Sequence, residues 1–381
     1  MKLAIPKSAS EYTKSMKILH ICSSSAWGGL EKYSVWLAGE LRERGHEVHY
    51  LCRAGTNIEK ELKKSGVPAT TIKGYLTYLD IRYILKIREL AIKGGYEIVH
   101  AHMSKDLGVI VPALWKFKLP KLYFSLHMIV PSPKKDLYHR IQYSRVDKIF
   151  ALGKAGEISA RENLPIDKKR VMELPYGIET QNYKPGKSTQ LRLKLGLSDT
   201  DKVLGILSRI DPVKGQSEAI RAMPEVLKKY PDCRLVIVGE ETEHLKGTVL
   251  PGLKREIEEL SLKEKVIFTG YRDDIPDTIN MFDIFLLPSH FESYSISVIE
   301  AKLCGVPIVA ASSGGIPQNL SNGQYGILVE PKNAGSLAKG IIETLDDPVN
   351  TKKRTEAARE NALNRYDRNN ILDIIEEEYA K

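Results

Sequence analysis

"HFESYSISVIEAKLCGVPIVAASSGG", residues 290–315, sets Glu292 and Glu300 eight positions apart and ends on a paired glycine. The run just before it, "IFLLPSH", is short and apolar, which reads as a strand followed by a loop over residues 289–295. The next apolar run starts near Ile296 with helical spacing, and Gly305 stops it. Glu292 then falls in the loop and Glu300 in the early turns of the helix. "PIVAAS" follows as the next strand. Strand, loop, helix and strand in that order form a βαβ unit of a parallel sheet, whose ligands bind beyond the strand C-termini. Backbone N–H groups near Tyr294, Ser295 and Ile296 point out of the helix N-terminus, a seat for phosphate. A phosphate there, with a carboxylate on either side and no evident metal ligands, describes a site for a nucleotide sugar.

The same rhythm extends in both directions. Towards the C-terminus, "KVLGILSR", "CRLVIVGE", "KVIFTGY" and "GILVE" read as strands, with "GQSEAIRAMPEVLKKYP" and "GLKREIEELSL" as helices between them. In the first half, "KILHICSS", "HEVHYLCR", "EIVHAH", "KLYFSLH" and "KIFALG" read as strands. The helix "GGLEKYSVWLAGELRERG" follows the first of them, and Gly45 ends it. Proline, glycine and polar residues gather in "ELPYGIETQNYKPGKST", a domain boundary. At 381 residues the chain also exceeds the size at which one core keeps growing. The expectation is an α/β chain of two doubly wound domains facing across a cleft, residues 1–180 and 181–359. The closing "RTEAARENALNRYDRNNILDIIEEEYAK" reads as one long amphipathic helix, of which about 360–381 crosses back to the first domain.

Composition sets further bounds. Cys22, Cys52, Cys233 and Cys304 have no C-x-x-C spacing and sit in or beside apolar runs, as buried reduced thiols do. No apolar run approaches the ~20 residues of a membrane span. Residues 1–15 read as a polar extension without the apolar centre of a secretion signal, so a cytoplasmic chain is expected. The net charge of +9 is concentrated at the front: residues 1–180 hold 30 Lys+Arg against 18 Asp+Glu. Between Lys105 and Lys148, nine cations face three acids and mix with aromatics. That mixture suits anionic lipid head groups or a phosphorylated glycan, so peripheral contact with a membrane is expected through residues 105–148. No nucleic-acid partner is expected.

"PSHFESYSISVIEAKLCGVPIVAASSGGIPQNL" resembles the E-x7-E signature of the retaining GT-B glycosyltransferases of family 4. "ILSRIDPVKG", "FTGYRDDIPDTINMFDIFLLPS" and "AWGGLEKYSVWLAGELRERGHEV" are similar to further elements of that family, in the expected order. The resemblance implies transfer of a hexosyl or N-acetylhexosaminyl unit from a UDP- or GDP-sugar to a glycan or lipid-linked acceptor. It implies retention of anomeric configuration, no metal or other cofactor, and a role in cell-envelope or lipopolysaccharide assembly. Glu300 would accept hydrogen bonds from ribose hydroxyls and Glu292 would contact the donor sugar. Arg209 and Lys214 would neutralise the diphosphate, Gly28 and Gly29 would let backbone approach it, and His127 would lie near the reacting carbon. The backbone at Tyr271 and Arg272 would run along the base.

The chain departs from the family where Ser293 and Ser295 replace common glycines, where Gln318 stands for Glu, and at Tyr176 and Glu179 in "PYGIET". "DTD" at 199–201 mimics a metal-binding motif but precedes a strand, so it reads as a turn. No G-x-G-x-x-G follows the first strand, which argues against NAD. A non-catalytic nucleotide-sugar sensor and a sugar-nucleotide epimerase are the other readings on the same fold.

Overall fold

The computed structural model describes residues 15–73, 80–242 and 245–381. The polar extension expected over residues 1–15 therefore lies, except for Ser15, outside the described residues. Seven strands make the first sheet: β1 Lys17–Cys22, β2 Glu47–Arg53, β3 Ala69–Ile72, β4 Ile98–Ala101, β5 Lys121–Leu126, β6 Lys148–Ala151 and β7 Val171–Glu173. Six make the second: β8 Lys202–Leu207, β9 Cys233–Val238, β10 Val266–Gly270, β11 Ile284–Leu287, β12 Ile308–Ala311 and β13 Ile327–Val329. Their orders are β3-β2-β1-β4-β5-β6-β7 and β10-β9-β8-β11-β12-β13. Neighbouring strands run parallel, so each crossover must pass over a face and bury it. Both sheets are doubly wound, as the alternation of short apolar runs and helical stretches predicts.

All six strands expected in the second half are present. In the first half the sequence reading missed β3 and β7, which are the two edges of that sheet. The reason is physical. β3, "ATTI", is half exposed along its length and β7 has three residues, so neither shows the continuous apolar run of a strand buried on both faces.

Contacts divide the chain into two units, the residues up to Gly177 with Arg368–Lys381, and Ile178–Asp367. The single C-terminal helix expected from the sequence is two helices, Pro348–Tyr366 and Arg368–Ala380. The break is Asp367, at φ −59° and ψ 128°. Its Oδ2 accepts from the Thr180 hydroxyl at 2.7 Å, and Ile178 N–H donates to Tyr366 O at 2.7 Å. The returning segment thus begins at Arg368 rather than near residue 360.

Within the first unit the Gly29–Glu43 helix buries Tyr33, Leu37, Ala38 and Leu41 against the sheet, a helical stripe. Beside it the Arg368–Ala380 helix buries Ile371, Leu372, Ile375 and Tyr379 in the same cluster as Ile18, Cys22, Tyr50 and Phe150. Arg44 donates to Asp373 and Glu376, which fixes the angle of that last helix. The four cysteines are buried and free, as expected.

Candidate functional site

The second unit assembles charge at the C-terminal ends of β8, β11 and β12. After β8, Asp211 caps a single turn, Pro212–Lys214, by accepting from Val213 N–H at 3.2 Å. Burial works to raise the Asp211 pKa. The Val213 N–H, the Thr242 hydroxyl and the cations Arg209 and Lys214 outweigh it and hold the carboxylate below its usual range. Gly215 then takes φ +76°, and a Cβ there would stand 2.2 Å from Pro288 O, so only glycine lets this loop press on the end of β11. His290 N–H donates to Val213 O at 2.8 Å and completes the seam.

The paired glycine that ends the opening stretch has a matching purpose. At Gly314, φ +54°, a Cβ would sit 2.0 Å from Glu292 O, and Gly315 N–H donates to that same oxygen at 2.7 Å. The two seams hold Glu292 opposite Lys214, whose Nζ donates to Glu292 Oε1 at 2.5 Å. Both side chains are largely enclosed, at 15% and 16% exposure, so the pair is poorly screened. Lys214 keeps N–H donors beyond the one directed at Glu292. Arg209 is exposed nearby in sequence, on the same strand end.

The helix spans Ile296–Cys304, as its sequence predicts. Ser295 is its N-cap in extended conformation and makes no side-chain cap hydrogen bond, so the serine does not satisfy the first-turn amides itself. Its hydroxyl lies 3.2 Å from that of Ser297. Tyr294 and Ile296 flank it, both half-buried. Glu300 accepts from the Tyr183 hydroxyl at 2.8 Å. Burial raises the Glu300 pKa, and the Tyr183 hydrogen bond opposes the rise. Two residues on, Lys302 is fully buried. Its ammonium donates to Asn361 Oδ1 at 2.8 Å and lies over the rings of Tyr325 and Tyr366, at 4.8 and 5.2 Å. Burial, with Arg365 as a lesser cause, lowers its pKa to about 7. This lysine pins the Pro348–Tyr366 helix to the helix that carries Glu300.

Tyr271 is exposed at the end of β10. The Arg272 guanidinium is engaged by Asp274 and by the Thr278 hydroxyl, which leaves the loop backbone as its contribution. "DTD" forms the expected turn ahead of β8, where Asp201 accepts from Ser198 N–H at 2.7 Å.

The first unit contributes a different kind of chemistry. Gly28 N–H donates to Glu31 Oε2 at 2.8 Å, so this amide serves the helix start. A Cβ on Gly29 would meet nothing within 4 Å, so open space lies beside it. His127, at the end of β5, stacks edge-on against Tyr33 at 5.1 Å, and its Nε2 is enclosed without a partner. Burial lowers its pKa to about 3. Behind it, His20 and His100 are register partners on β1 and β4, and His102 follows on the same face. His20 Nδ1 and His102 Nε2 are hydrogen-bonded at 3.0 Å. His100 spans Tyr379 Oη at 2.5 Å and Ser125 Oγ at 2.8 Å.

One nitrogen from each of the three imidazoles falls within 4.8 Å of the others, close enough to suggest a metal. The ring geometry speaks against a shared ion. His100 and His102 stack at 4.5 Å and 20°, and His20 and His102 at 5.3 Å and 12°. Stacked rings aim their lone pairs side by side, whereas ligation needs them to converge. The group is a neutral, buried hydrogen-bonding cluster that ties the last helix to the sheet.

Sequence reasoning missed Tyr183, Lys302 and this cluster. A signal was present for the last, since His100 and His102 two apart on a strand must share a face. None was present for the first two, whose side-chain hydrogen-bond partners, Glu300 and Asn361, lie more than fifty residues away in the chain.

A family model described as "Glycosyl transferases group 1" matches residues 187–365, and one described as "Glycosyltransferase Family 4" matches residues 27–182. The chain is 24% identical over 376 residues to the N-acetyl-alpha-D-glucosaminyl L-malate synthase of Bacillus anthracis, covering 96% of each. It is 33% identical over 186 residues to a GDP-mannose-dependent monoacylated alpha-(1-6)-phosphatidylinositol monomannoside mannosyltransferase of Corynebacterium glutamicum, covering 46% and 47%. Among solved structures, Anabaena HepE in complex with UDP superposes with a TM-score of 0.84 at 24% identity, covering 96% and 100%.

Proposed function

The chain belongs to the family 4 glycosyltransferases of GT-B fold and uses a nucleotide sugar, and from that premise we propose that it moves a hexosyl or N-acetylhexosaminyl unit from a UDP- or GDP-sugar to a glycan or lipid-linked acceptor, with retention. Support for the choice of nucleotide comes from both sides. The structural neighbour holds UDP, and the mannosyltransferase that matches about half of the chain is GDP-mannose-dependent. The second unit binds the donor and the first unit the acceptor. The observation that carries this reading is the Lys214–Glu292 pair, held by two glycine-dependent seams beside a helix N-terminus.

In the reaction, the incoming hydroxyl oxygen bonds to the anomeric carbon as the bond from that carbon to the phosphate oxygen breaks on the same face. The departing phosphate takes the hydroxyl proton. Lys214 and Arg209 stabilise the negative charge that grows on the diphosphate, so transfer needs no metal. Glu292 orients Lys214 and accepts from hydroxyls of the sugar, while Glu300 accepts from the ribose. His127, held neutral by its burial, touches the sugar as an uncharged donor or acceptor. Tyr271 and Arg272 present backbone to the base, and the amides at Ser295 and Ile296 meet the phosphates.

The acceptor is part of the cell envelope, and the enzyme works in the cytoplasm against an anionic membrane. Among the described residues no helix is long and apolar enough to cross a membrane. Trp115, Leu119, Met128, Leu137 and Ile141 are exposed between the lysines and arginines of residues 105–148, which supports peripheral contact.

A thermal-shift panel of UDP-, GDP- and ADP-sugars, with and without EDTA, tests the donor. Stabilisation by one uridine or guanosine sugar, insensitive to EDTA, is expected. No shift with any of them overturns the reading. Proton NMR of the product then reports the anomer, and inversion would remove the proposed mechanism.

A further inference from the structure

We propose that Tyr183 is a positioning residue for donor recognition, which holds the Glu300 carboxylate in the one orientation that distinguishes ribose from deoxyribose. The inference rests on the ribose role proposed for Glu300 and deepens it. Three observations support it. First, the Tyr183 hydroxyl donates to Glu300 Oε1 at 2.8 Å, across 117 positions of sequence. Secondly, the contact joins two separate elements. Tyr183 follows the short turn Thr180–Asn182, which opens the second unit, and Glu300 lies in the middle of the Ile296–Cys304 helix. Thirdly, Tyr183 is itself anchored, packing against the cluster of Phe282, Phe285, Val298 and Cys304.

A free carboxylate on a helix rotates about its last torsion and can accept from solvent at either oxygen. With one lone pair of Oε1 committed to Tyr183, the plane of the group is set. Oε2 and the second lone pair of Oε1 remain for two neighbouring hydroxyls, the arrangement that cis-hydroxyls of a ribose require. Loss of the hydroxyl at position 183 frees the torsion and weakens both contacts together.

Among the described residues, the charged and titratable groups that bear on this carboxylate and its neighbours come from several elements, with Arg359 and Asp277 acting on the adjacent Cys304. Tyr183 faces it from the linker and Cys304 from its own helix, and Glu179 acts on Tyr183 from the preceding turn. The Tyr183 bond is the one that holds the Glu300 pKa down against burial. Its removal therefore moves the acid limb of nucleotide binding to higher pH.

The test is calorimetric and needs no acceptor. Binding of UDP and 2′-deoxy-UDP, or of GDP and 2′-deoxy-GDP if guanine is the base bound, is measured for the wild type, Tyr183→Phe and Glu300→Gln. The wild type is expected to prefer the ribonucleotide by at least about tenfold, the lower end of what one hydrogen bond to a charged group contributes. Tyr183→Phe should bring that preference below about threefold while the apo melting temperature stays close to wild type. It should also shift the acid limb upward. Glu300→Gln separates the two claims. If Glu300→Gln loses the preference and Tyr183→Phe keeps it, the positioning role is overturned and the ribose role stands. If Glu300→Gln keeps the preference, the ribose role itself fails.

Discussion

The two units solve the same problem, a functional strand edge on a parallel sheet, with opposite electrostatics. In the second unit the ends of β8, β11 and β12 carry formal charge, with Lys214 against Glu292 and Asp211 near both Lys214 and Arg209. In the first unit the matching edge is backed by imidazoles that burial keeps neutral: His20 and His127 are lowered to about 3, and His100 and His102 well below their usual value. The difference teaches that a charge can be kept out of water where a counter-charge is within reach, and that burial expels the proton where none is. A charged edge suits a diphosphate. A neutral hydrogen-bonding one suits a hydroxylated acceptor, in keeping with the roles proposed for the two units.

The largest expected effect concerns the last helix. Ending the chain at Asp367 removes the buried side chains of Ile371, Leu372, Ile375 and Tyr379 from the first unit, on the order of 1.5–3 kcal/mol each. Limited proteolysis should then degrade the first unit and spare the second. Equal resistance of both would break the division of the chain into these units.

Acidification should separate the units next. An imidazole near 6.5 when unfolded and near 3 when folded gives the unfolded state more bound protons throughout that window. Stability therefore falls as pH drops from about 6.5 towards 3, by about 1.4 kcal/mol per pH unit for each such group. Calorimetric scans from pH 7 to pH 4.5 should show the first unit's transition moving down well ahead of the second's. Parallel movement of both would show that the cluster takes up protons in the folded state.

Lys214→Ala should lower turnover by about 10²–10³ with only a modest fall in melting, since Lys214 and Glu292 lie in strand-end loops outside the hydrophobic clusters of the second unit. Loss of stability with near-normal turnover would make the pair structural, and the contrast between the units would lose its functional side. The smallest effect of a substitution at pH 7 is expected at Lys302. Its pKa is about 7 when folded against 10.5 in the unfolded chain, so stability declines as pH falls from about 10 to 7. Lys302→Met should flatten that decline and raise stability at pH 7 by about 1 kcal/mol, reduced by the unpaired Asn361 it leaves. Thermal melts at pH 7 and pH 9.5 check both statements, and an unchanged slope would show that the ammonium stays charged.

Legibility differed between the units in the same way. Five of the second unit's six strands are apolar runs ended by Gly, Pro or Ser, so their ends, and with them the strand-end positions of Arg209, Lys214 and Glu292, could be placed from sequence. The helix limits at Ile296 and Cys304 followed from spacing and Gly305. The first unit's edges, β3 and β7, were missed because short or half-exposed edge strands lack the apolar run. The purpose of the paired glycine at 314–315 emerges only in the fold, where Gly314 lies against the backbone of Glu292.

By itself the sequence determined what periodicity and local chemistry encode: two parallel α/β sheets, the loops at their C-terminal edges, and the charged residues those loops carry. Tertiary structure decided which distant groups meet. It broke the last helix at Asp367 and sent the remainder to the first unit, set Tyr183 on Glu300 and Lys302 on Asn361, and enclosed the histidines until they lost their protons. The reason is that strand and helix patterns are properties of neighbouring residues. Burial, and the proton affinities and hydrogen-bond partners it dictates, belongs to residues the chain brings together only after it has folded.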